Sequence, residues 1–259
     1  MDEVKNRIYY FTGTGNSLNA AQNIAKELSD CDLVAICKDT PTEISAEYER
    51  IGFVYPNYAG GLPKMVADFI SAVKLPDTYL FAVATYGGFS GVVIARAEKL
   101  LQEKGQSFNY GAAIRSYPNM VTAYPMIRGI GFFTKLNNRK SNRIAKEISA
   151  MRQKSISAVV PEKSMYEGFI SQIHDSDKGF YVNDDCISCE ICRKVCPANN
   201  ITMSNGKPTF NHQCESCMAC IQYCPKRAIN DKDKTEKRGR YTHPNISAQT
   251  IIKLRGESK

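Results

Sequence analysis

The heptapeptide FTGTGNS, residues 11–17, joins a short apolar run to a segment with helical periodicity. The run at residues 7–11 is rich in aromatic and β-branched residues and predicts a strand. After the heptapeptide, apolar residues recur at helical spacing at Leu18, Ala21, Ile24, Ala25 and Leu28. FTGTGNS is therefore predicted to lie at a helix N-terminus, where unpaired N–H groups and the helix dipole favour an anion.

The same alternation of strand and helix patterns continues through about residue 157. Strand-like runs follow at residues 33–36, 51–55, 79–85 and 108–114, with helical periodicities between most of them and a last one at about 143–157. Such alternation predicts an α/β fold with a parallel sheet covered on both faces. Residues 116–137, rich in Tyr, Phe, Pro and Gly, are predicted to form a long loop that acts as a lid or packs between domains.

Ten cysteines raise the question of disulfides, but eight of them lie between Cys186 and Cys224. A chain of 259 residues with no signal-peptide pattern favours metal binding over a disulfide scaffold. Cys31 and Cys37 stand apart and are interpreted as small core residues. No apolar stretch is long enough to span a membrane, so we expect a soluble, cytoplasmic protein without a membrane partner.

The eight clustered cysteines form two copies of one motif, CISCEICRKVCP and CESCMACIQYCP, offset by 28 residues. The spacing C-x2-C-x2-C-x3-C-P is typical of a [4Fe-4S] site in which the fourth cysteine ligates the other cluster. Zinc sites usually pair two C-x2-C units across a longer loop, so zinc fits poorly. One predicted ligand set is Cys186, Cys189, Cys192 and Cys224, and the other is Cys214, Cys217, Cys220 and Cys196.

Residues from about 179 to 231 resemble the bacterial-type ferredoxins with two [4Fe-4S] clusters, and all eight ligand positions match. The resemblance implies a small α+β ferredoxin-like domain that carries one electron at a time at low potential. Positive side chains near the motifs are expected to raise that potential somewhat. They are Arg193, Lys194, Lys226 and Arg227.

The loop FTGTGNS resembles the phosphate loop of flavodoxins, which bind FMN. It lacks the third glycine of a dinucleotide loop and the lysine of a P-loop. The resemblance implies a doubly wound five-stranded sheet of order 2-1-3-4-5, with ligand at the carboxyl ends of strands one, three and four. The loops at those ends give as candidate FMN contacts Thr12, Gly13, Thr14, Gly15, Asn16, Ser17, Pro56, Asn57, Tyr58, Ala59, Gly60, Thr85, Tyr86, Gly87 and Gly88. Tyr58 or Tyr86 is expected to face the flavin ring, with ordinary packing as the alternative for each.

The chain as a whole resembles flavodoxin–ferredoxin fusion proteins. We expect an FMN-binding domain at 1–160, a linker at 161–178, a two-cluster domain at 179–231 and a basic tail at 232–259. The resemblance implies an electron-transfer protein that passes electrons between two [4Fe-4S] clusters and FMN, and on to a partner redox protein or acceptor enzyme.

The alternative is a flavin-dependent reductase of a small substrate bound over the ring, but its acid–base residues are not evident, since the three histidines are scattered. A redox-sensing regulator is supported only by the basic tail.

The formal charge of +8 bears on the choice of partner. Two clusters with their thiolates and one phosphate would reduce it to about +2, so no nucleic-acid partner is expected. Basic segments at 139–154 and 226–240 would steer an acidic partner such as a ferredoxin, with solvated surface as the alternative. The sequence does not determine the oligomeric state, and a dimer that brings one chain's clusters near the other's flavin is compatible with it.

Overall fold

The computed structural model describes residues 5–44, 47–162 and 164–257. Its centre is a five-stranded parallel sheet in the order β2-β1-β3-β4-β5. The strands are β1 (Asn6–Tyr10), β2 (Cys31–Ala35), β3 (Arg50–Pro56), β4 (Tyr79–Tyr86) and β5 (Tyr110–Arg115). This is the flavodoxin-like strand order, and the predicted fold class is confirmed.

Four helices cover the two faces of this sheet. They are α1 (Asn16–Leu28), α2 (Lys64–Ala72), α3 (Val93–Gln102) and α4 (Ile130–Ser149). Because side chains alternate along a strand, Ile8 and Tyr10 of β1 pack with α1 and α4, while Tyr9 packs with α2 and α3 on the other face. Residues 36–44 and 47–49, between β2 and β3, contain no helix.

The long loop predicted at residues 116–137 is wrong in its second half, because α4 already begins at Ile130. Its first turns carry an exposed Phe132 and an exposed Gly131, so they lack the apolar stripe by which a helix is recognised in a sequence. The helix also ends at Ser149, earlier than the predicted end near residue 157.

The cysteine-rich part folds as a small α+β unit. Its strands pair antiparallel, β6 (Phe180–Val182) with β9 (Ile229–Asp231) and β7 (Ile201–Ser204) with β8 (Lys207–Phe210). Two one-turn helices, α6 (Ile191–Lys194) and α7 (Ala219–Gln222), follow the cysteine loops.

The 28-residue repeat extends to the backbone of this unit. Ser188 and Ser216 have left-handed φ values of 56° and 50°, and Glu190 and Met218 have φ values of 61° and 62°. The predicted duplication therefore has the same loop conformation in both copies.

Ordered elements also occupy the predicted linker and tail. Residues 161–178 contain α5 (Met165–Ser171) and a 3-10 helix (Ile173–Asp177), and the tail contains a second 3-10 helix (Lys232–Lys234) and α8 (Ala248–Glu257). Ile246 and Ile251 of the tail pack in the same core as Ile8 of the sheet and Ala219 of the cysteine-rich unit. The division into domains remains a prediction.

Within the described ranges, we find no helix that is both long enough and apolar enough to cross a membrane.

Candidate functional site

A cleft of about 490 Å³ lies at the carboxyl ends of β1, β3 and β4. That volume is within the range of small-molecule and cofactor sites. Every predicted FMN contact lines the cleft except Gly15 and Gly60. The three loops are brought together because parallel strands end at the same edge of the sheet.

The loop at residues 12–17 presents hydroxyl groups and the N-terminus of α1 to the cleft. Gly15 has a φ of 101°, and its N–H donates to the Thr12 hydroxyl at 3.0 Å. Ser17 Oγ lies 2.8 Å from Thr85 Oγ1. Among the described residues that line the cleft, none has a charged side chain. A phosphate at this end would therefore be held by hydroxyls, backbone N–H groups and the helix dipole.

The loop after β3 turns sharply beside the cleft. Tyr58 and Gly61 exchange two backbone hydrogen bonds of 2.8 and 2.9 Å, with Ala59 and Gly60 in left-handed conformations between them. Tyr58 contacts Phe169 edge-on, at 6.1 Å between ring centroids. Which tyrosine faces the flavin, Tyr58 or Tyr86, remains a prediction.

Asn57 offers a hydrogen-bond acceptor with no protein donor among the described residues. Its Nδ2 donates to the Phe89 carbonyl at 2.8 Å, whereas its buried Oδ1 lacks a partner. Buried polar atoms are rarely left unpaired, so a ligand N–H at this position would complete the site. This requirement fits a flavin, whose ring carries polar N–H and carbonyl groups.

Part of the cleft wall comes from residues that the sequence does not assign to the site. Ser116, Tyr117, Pro118, Asn119, Met120 and Tyr124 belong to the aromatic loop that the sequence predicts to act as a lid or to pack between domains. Asn119 Nδ2 donates to the Thr14 hydroxyl, which ties this loop to the loop at residues 12–17.

Helix α5, within the predicted linker, supplies Met165 and Phe169 to the same wall. Arg96 fixes the helix through an ion pair of 2.7 Å with Glu167 and a cation–π contact with Tyr166 at 4.3 Å. The Ser164 hydroxyl and Arg96 hold the pKa of Glu167 at about 2, so this carboxylate stays ionised. A seven-residue helix in a polar segment gives little sequence signal, which is why it was missed.

The segment at residues 241–246 supports the loop at residues 12–17 from outside the cleft. The Tyr241 hydroxyl donates to Asn16 Oδ1 at 2.6 Å, and the His243 N–H donates to the Thr14 carbonyl at 2.8 Å. A Cβ on Gly15 would lie 2.8 Å from the Cβ atoms of His243 and Ile246, which places Gly15 in this packing and not in the cleft. Burial lowers the pKa of His243 to about 4, so its imidazole is neutral near pH 7.

The eight clustered cysteines line two small cavities, each with four of them. Site I is lined by Cys186, Cys189, Cys192 and Cys224, and site II by Cys196, Cys214, Cys217 and Cys220. These groupings correspond to the two predicted ligand sets, with the fourth cysteine exchanged between motifs.

Among the described residues, no three His, Cys, Asp or Glu side chains converge on the position of a single metal ion.

The two sites differ in exposure. Cys189 of site I is exposed, and the neighbouring Ile187 is 57% exposed. At site II, burial raises the pKa of the Cys217 thiol to about 12. Its thiols would be neutral without iron, and cluster binding must displace their protons.

Site II and the cleft share the loop that carries Cys217. Ser216, Cys217 and Met218 line the cleft, and a Cβ on Gly13 would lie only 1.9 Å from the Cys217 carbonyl oxygen. Glycine at residue 13 therefore permits direct backbone contact between the loop at 12–17 and the site II loop. Sequence spacing gives no sign of this contact, because the two loops are about 200 residues apart.

Residues 185–229 match the family model of the 4Fe-4S dicluster domain. This segment is less than a fifth of the chain, and no protein of curated function matches the sequence. The match and the strand order together show a flavodoxin-like α/β fold joined to a 4Fe-4S dicluster segment. That combination supports a redox, electron-transfer role.

Solved structures with partial similarity each cover a little over half of the chain. The flavodoxin of Streptococcus pneumoniae TIGR4 is 16% identical with a TM-score of 0.40, covering 56% of this chain and 97% of its own. An azoreductase of Bacillus anthracis is 7% identical with a TM-score of 0.41, covering 55% and 99%. The Fusobacterium nucleatum flavodoxin bound to flavin mononucleotide is 13% identical with a TM-score of 0.36, covering 57% and 99%. Similarity at this level does not bear on function.

Proposed function

We propose that this protein is an electron-transfer protein in which two [4Fe-4S] clusters and one FMN exchange electrons. The clusters would be held at sites I and II, and FMN in the cleft. A flavin takes electrons singly or in pairs and a cluster passes them one at a time, so the combination would connect one-electron and two-electron partners. The cytoplasm is the proposed location, because the eight cysteines that line sites I and II must stay reduced to hold clusters.

The observation that carries this proposal is the loop at residues 216–218. Cys217 and Met218 line both site II and the cleft, and the neighbouring Ser216 lines the cleft. A redox group at site II would therefore be separated from a flavin by little more than the chain that holds it. Two cofactor sites that did not exchange electrons would not be expected to share a loop in this way.

The residues of the cleft fit FMN in two further respects. The end formed by Thr12, Thr14, Ser17 and the α1 N-terminus suits a phosphate monoester without a counter-charged lysine. The other end is aromatic and apolar and carries the unpaired acceptor of Asn57, which suits a planar ring with polar edges.

The test is to remove site II and compare the result with removal of a cysteine outside both sites. Cys214→Ala should lose iron and keep FMN, and its flavin should no longer be reduced through the remaining cluster. Cys31→Ala, at a partly buried cysteine of β2, should retain iron, flavin and electron exchange. Metal analysis, flavin fluorescence after denaturation and anaerobic absorbance measure the three quantities.

Two results would contradict the proposal. Loss of flavin together with iron in Cys214→Ala would mean that the sites are not separate cofactor sites. Undiminished reduction of the flavin in that variant would mean that site II is not in the electron path.

The alternative function, reduction of a small substrate over the flavin ring, is favoured by the apolar side chains of Met120, Met165 and Phe169 in the cleft wall. It is disfavoured by the uncharged lining, which supplies no carboxylate or imidazole for proton transfer among the described residues. Rapid, stoichiometric bleaching by NADH or NADPH, with turnover on a small acceptor, would favour this alternative.

A further inference from the structure

The two cluster sites differ in what they contact, and this difference assigns them different roles. We propose that site I is the docking point for an external partner, and that the partner is an acidic one-electron carrier protein that binds over Cys189 beside Lys226 and Arg227. Site II then serves only as the internal connection to the cleft. This inference rests on the proposed function and adds to it the partner class and the place where it binds.

Site I is the only one of the two sites with an exposed cysteine among the described residues. Cys189 is exposed, Ile187 is 57% exposed, and the side chains of Ser188 and Pro225 are exposed on the same rim. An exposed apolar residue beside a redox site is a typical contact for a transient electron-transfer complex, whose interface is small.

Site II is covered by other parts of the chain. Gly13 packs against the Cys217 carbonyl, and the Cys214 carbonyl lies 3.1 Å from His174 Nδ1. Glu215, only 5% exposed, accepts the Met65 N–H at 3.1 Å. Among the described residues, the cysteines of site II are partly or fully buried and only site I has an exposed one, so an electron from outside is expected to enter at site I.

The two sites are joined through a common apolar cluster. Cys192 of site I packs there with Cys196 and Cys220 of site II, together with Met218 at the cleft wall. The order of contacts is therefore site I, site II and then the cleft.

The charge beside site I indicates an acidic partner. Lys226 and Arg227 are exposed and have no ion-pair partner among the described residues, whereas Arg193 pairs with Glu190 at 2.5 Å and Lys207 with Asp184 at 2.8 Å. Asp185, which directly precedes Cys186, is exposed and accepts a hydrogen bond from Asn183. The partner's acidic patch is therefore expected on the Pro225 side of Cys189, where it would meet the two free cations.

The other basic segment, residues 139–154, does not lie beside a cluster site or the cleft among the described residues. Most of it belongs to α4, which packs on α1 and β5, and none of its residues lines either cluster site or the cleft. Reversing charges in this segment therefore changes the net charge of the protein without changing the surface beside site I, and so controls for attraction by net charge alone.

The proposed step between the partner and site I is the transfer of a single electron. One electron leaves the reduced cluster of the partner, which is oxidised, and reaches the site I cluster, which is reduced. No bond forms or breaks and no proton needs to move at Cys189. Docking geometry and charge therefore determine the rate of the exchange between the two proteins.

The experiment compares two double variants of the cofactor-loaded protein with equal changes of charge. K226E/R227E reverses the charges beside site I, and R139E/K146E reverses two exposed charges on α4. The probe is an acidic two-cluster ferredoxin. With the oxidised ferredoxin, calorimetry measures the Kd of its complex with each variant. With the reduced ferredoxin, stopped-flow absorbance measures the rate at which the flavin is bleached.

We expect K226E/R227E to raise the Kd and lower the bleaching rate at least tenfold at low ionic strength, and R139E/K146E to change both by less than about threefold. The difference should shrink at high salt, because screening shortens the range of the charges. Equal effects of the two double variants, or no effect of K226E/R227E, would overturn the proposal.

A second variant tests the order of the sites. In Cys189→Ala, the ferredoxin should no longer bleach the flavin, whereas unchanged bleaching would show that the partner exchanges electrons at the cleft and would overturn the inference. The Kd of the oxidised probe does not depend on internal electron transfer, so a failure of the proposed function leaves this readout intact. Failure of the docking inference would in turn leave the response of Cys214→Ala unchanged.

Discussion

The contact between Gly13 and Cys217 gives the sharpest prediction, because a single methyl group tests it. In Gly13→Ala the new Cβ would lie 1.9 Å from the Cys217 carbonyl oxygen and 2.9 Å from its carbonyl carbon. An ordinary carbon–oxygen contact is about 3.3 Å, so the two loops must separate by about 1.4 Å. Both atoms that it meets belong to the backbone, so a side-chain rotation cannot relieve the overlap.

Overpacking of this kind costs about 1–3 kcal/mol. For a chain of this size that corresponds to a fall in Tm of roughly 2–12 °C. Because the displaced loop forms the wall between site II and the cleft, electron exchange between the clusters and the flavin should also slow. Calorimetric unfolding and anaerobic stopped-flow absorbance measure the two effects.

Gly88→Ala is the matched control, since Gly88 also lines the cleft but a Cβ there would meet nothing within 4 Å. Its Tm should stay within about 1 °C of the parent protein. An unchanged Tm in Gly13→Ala, with exchange as fast as in the parent, would refute the contact and with it the shared wall.

Three further predictions concern the loop at residues 12–17 and its support. The double variant Thr14→Ala/Ser17→Ala should bind FMN about ten- to a hundredfold more weakly, because hydrogen bonds to the charged phosphate are lost. Its iron content should not change. Undiminished FMN affinity in a fluorescence titration would contradict the assignment of this loop to the phosphate. Tyr241→Phe removes the 2.6 Å hydrogen bond to Asn16, so FMN affinity should fall about fivefold for a loss of about 1 kcal/mol; an unchanged Kd would mean that Tyr241 does not position the loop. The pKa of His243 in the folded protein is about 4, below the usual 6.5. Between these two pH values the unfolded chain therefore binds one more proton than the folded protein. The free energy of unfolding should fall by up to about 3 kcal/mol as the pH drops from 6.5 to 4. Denaturant unfolding at several pH values measures the free energy of unfolding. Between pH 6.5 and 4 this free energy should fall less steeply with pH in His243→Phe than in the parent protein, and an equal fall in both would show that His243 is not its cause.

The parts of the fold that sequence reasoning predicted are those with a strong local period. The five strands are nearly continuous apolar runs and α1 has a clear apolar stripe, so a parallel sheet follows from the sequence pattern. The strand order, and with it the choice of the three loops, came from the resemblance to flavodoxins. The cysteine motifs were equally informative, because ligand spacing determines which sulfurs share a site. Hence most of the predicted FMN contacts line one cleft, and the predicted ligand sets line two cavities.

The remaining parts of the site depend on contacts between distant segments. The first turns of α4 and all of α5 lack an apolar period, because α4 exposes Phe132 and α5 has no buried residue. The supports from Tyr241 and His243, and the contact between Gly13 and Cys217, join residues about 200 positions apart. Local propensity contains no information about such pairs, so they could be found only in the folded structure.

The hydrogen bond between Tyr241 and Asn16 also has a consequence for biosynthesis. It spans 225 positions of the chain, so the loop at residues 12–17 emerges from the ribosome long before its outer support has been translated. The cysteine-rich unit is synthesised in the interval between them. Firm binding of the proposed FMN would thereby await translation of Tyr241, and a nascent chain that stalls within the cysteine motifs would hold the nucleotide loosely.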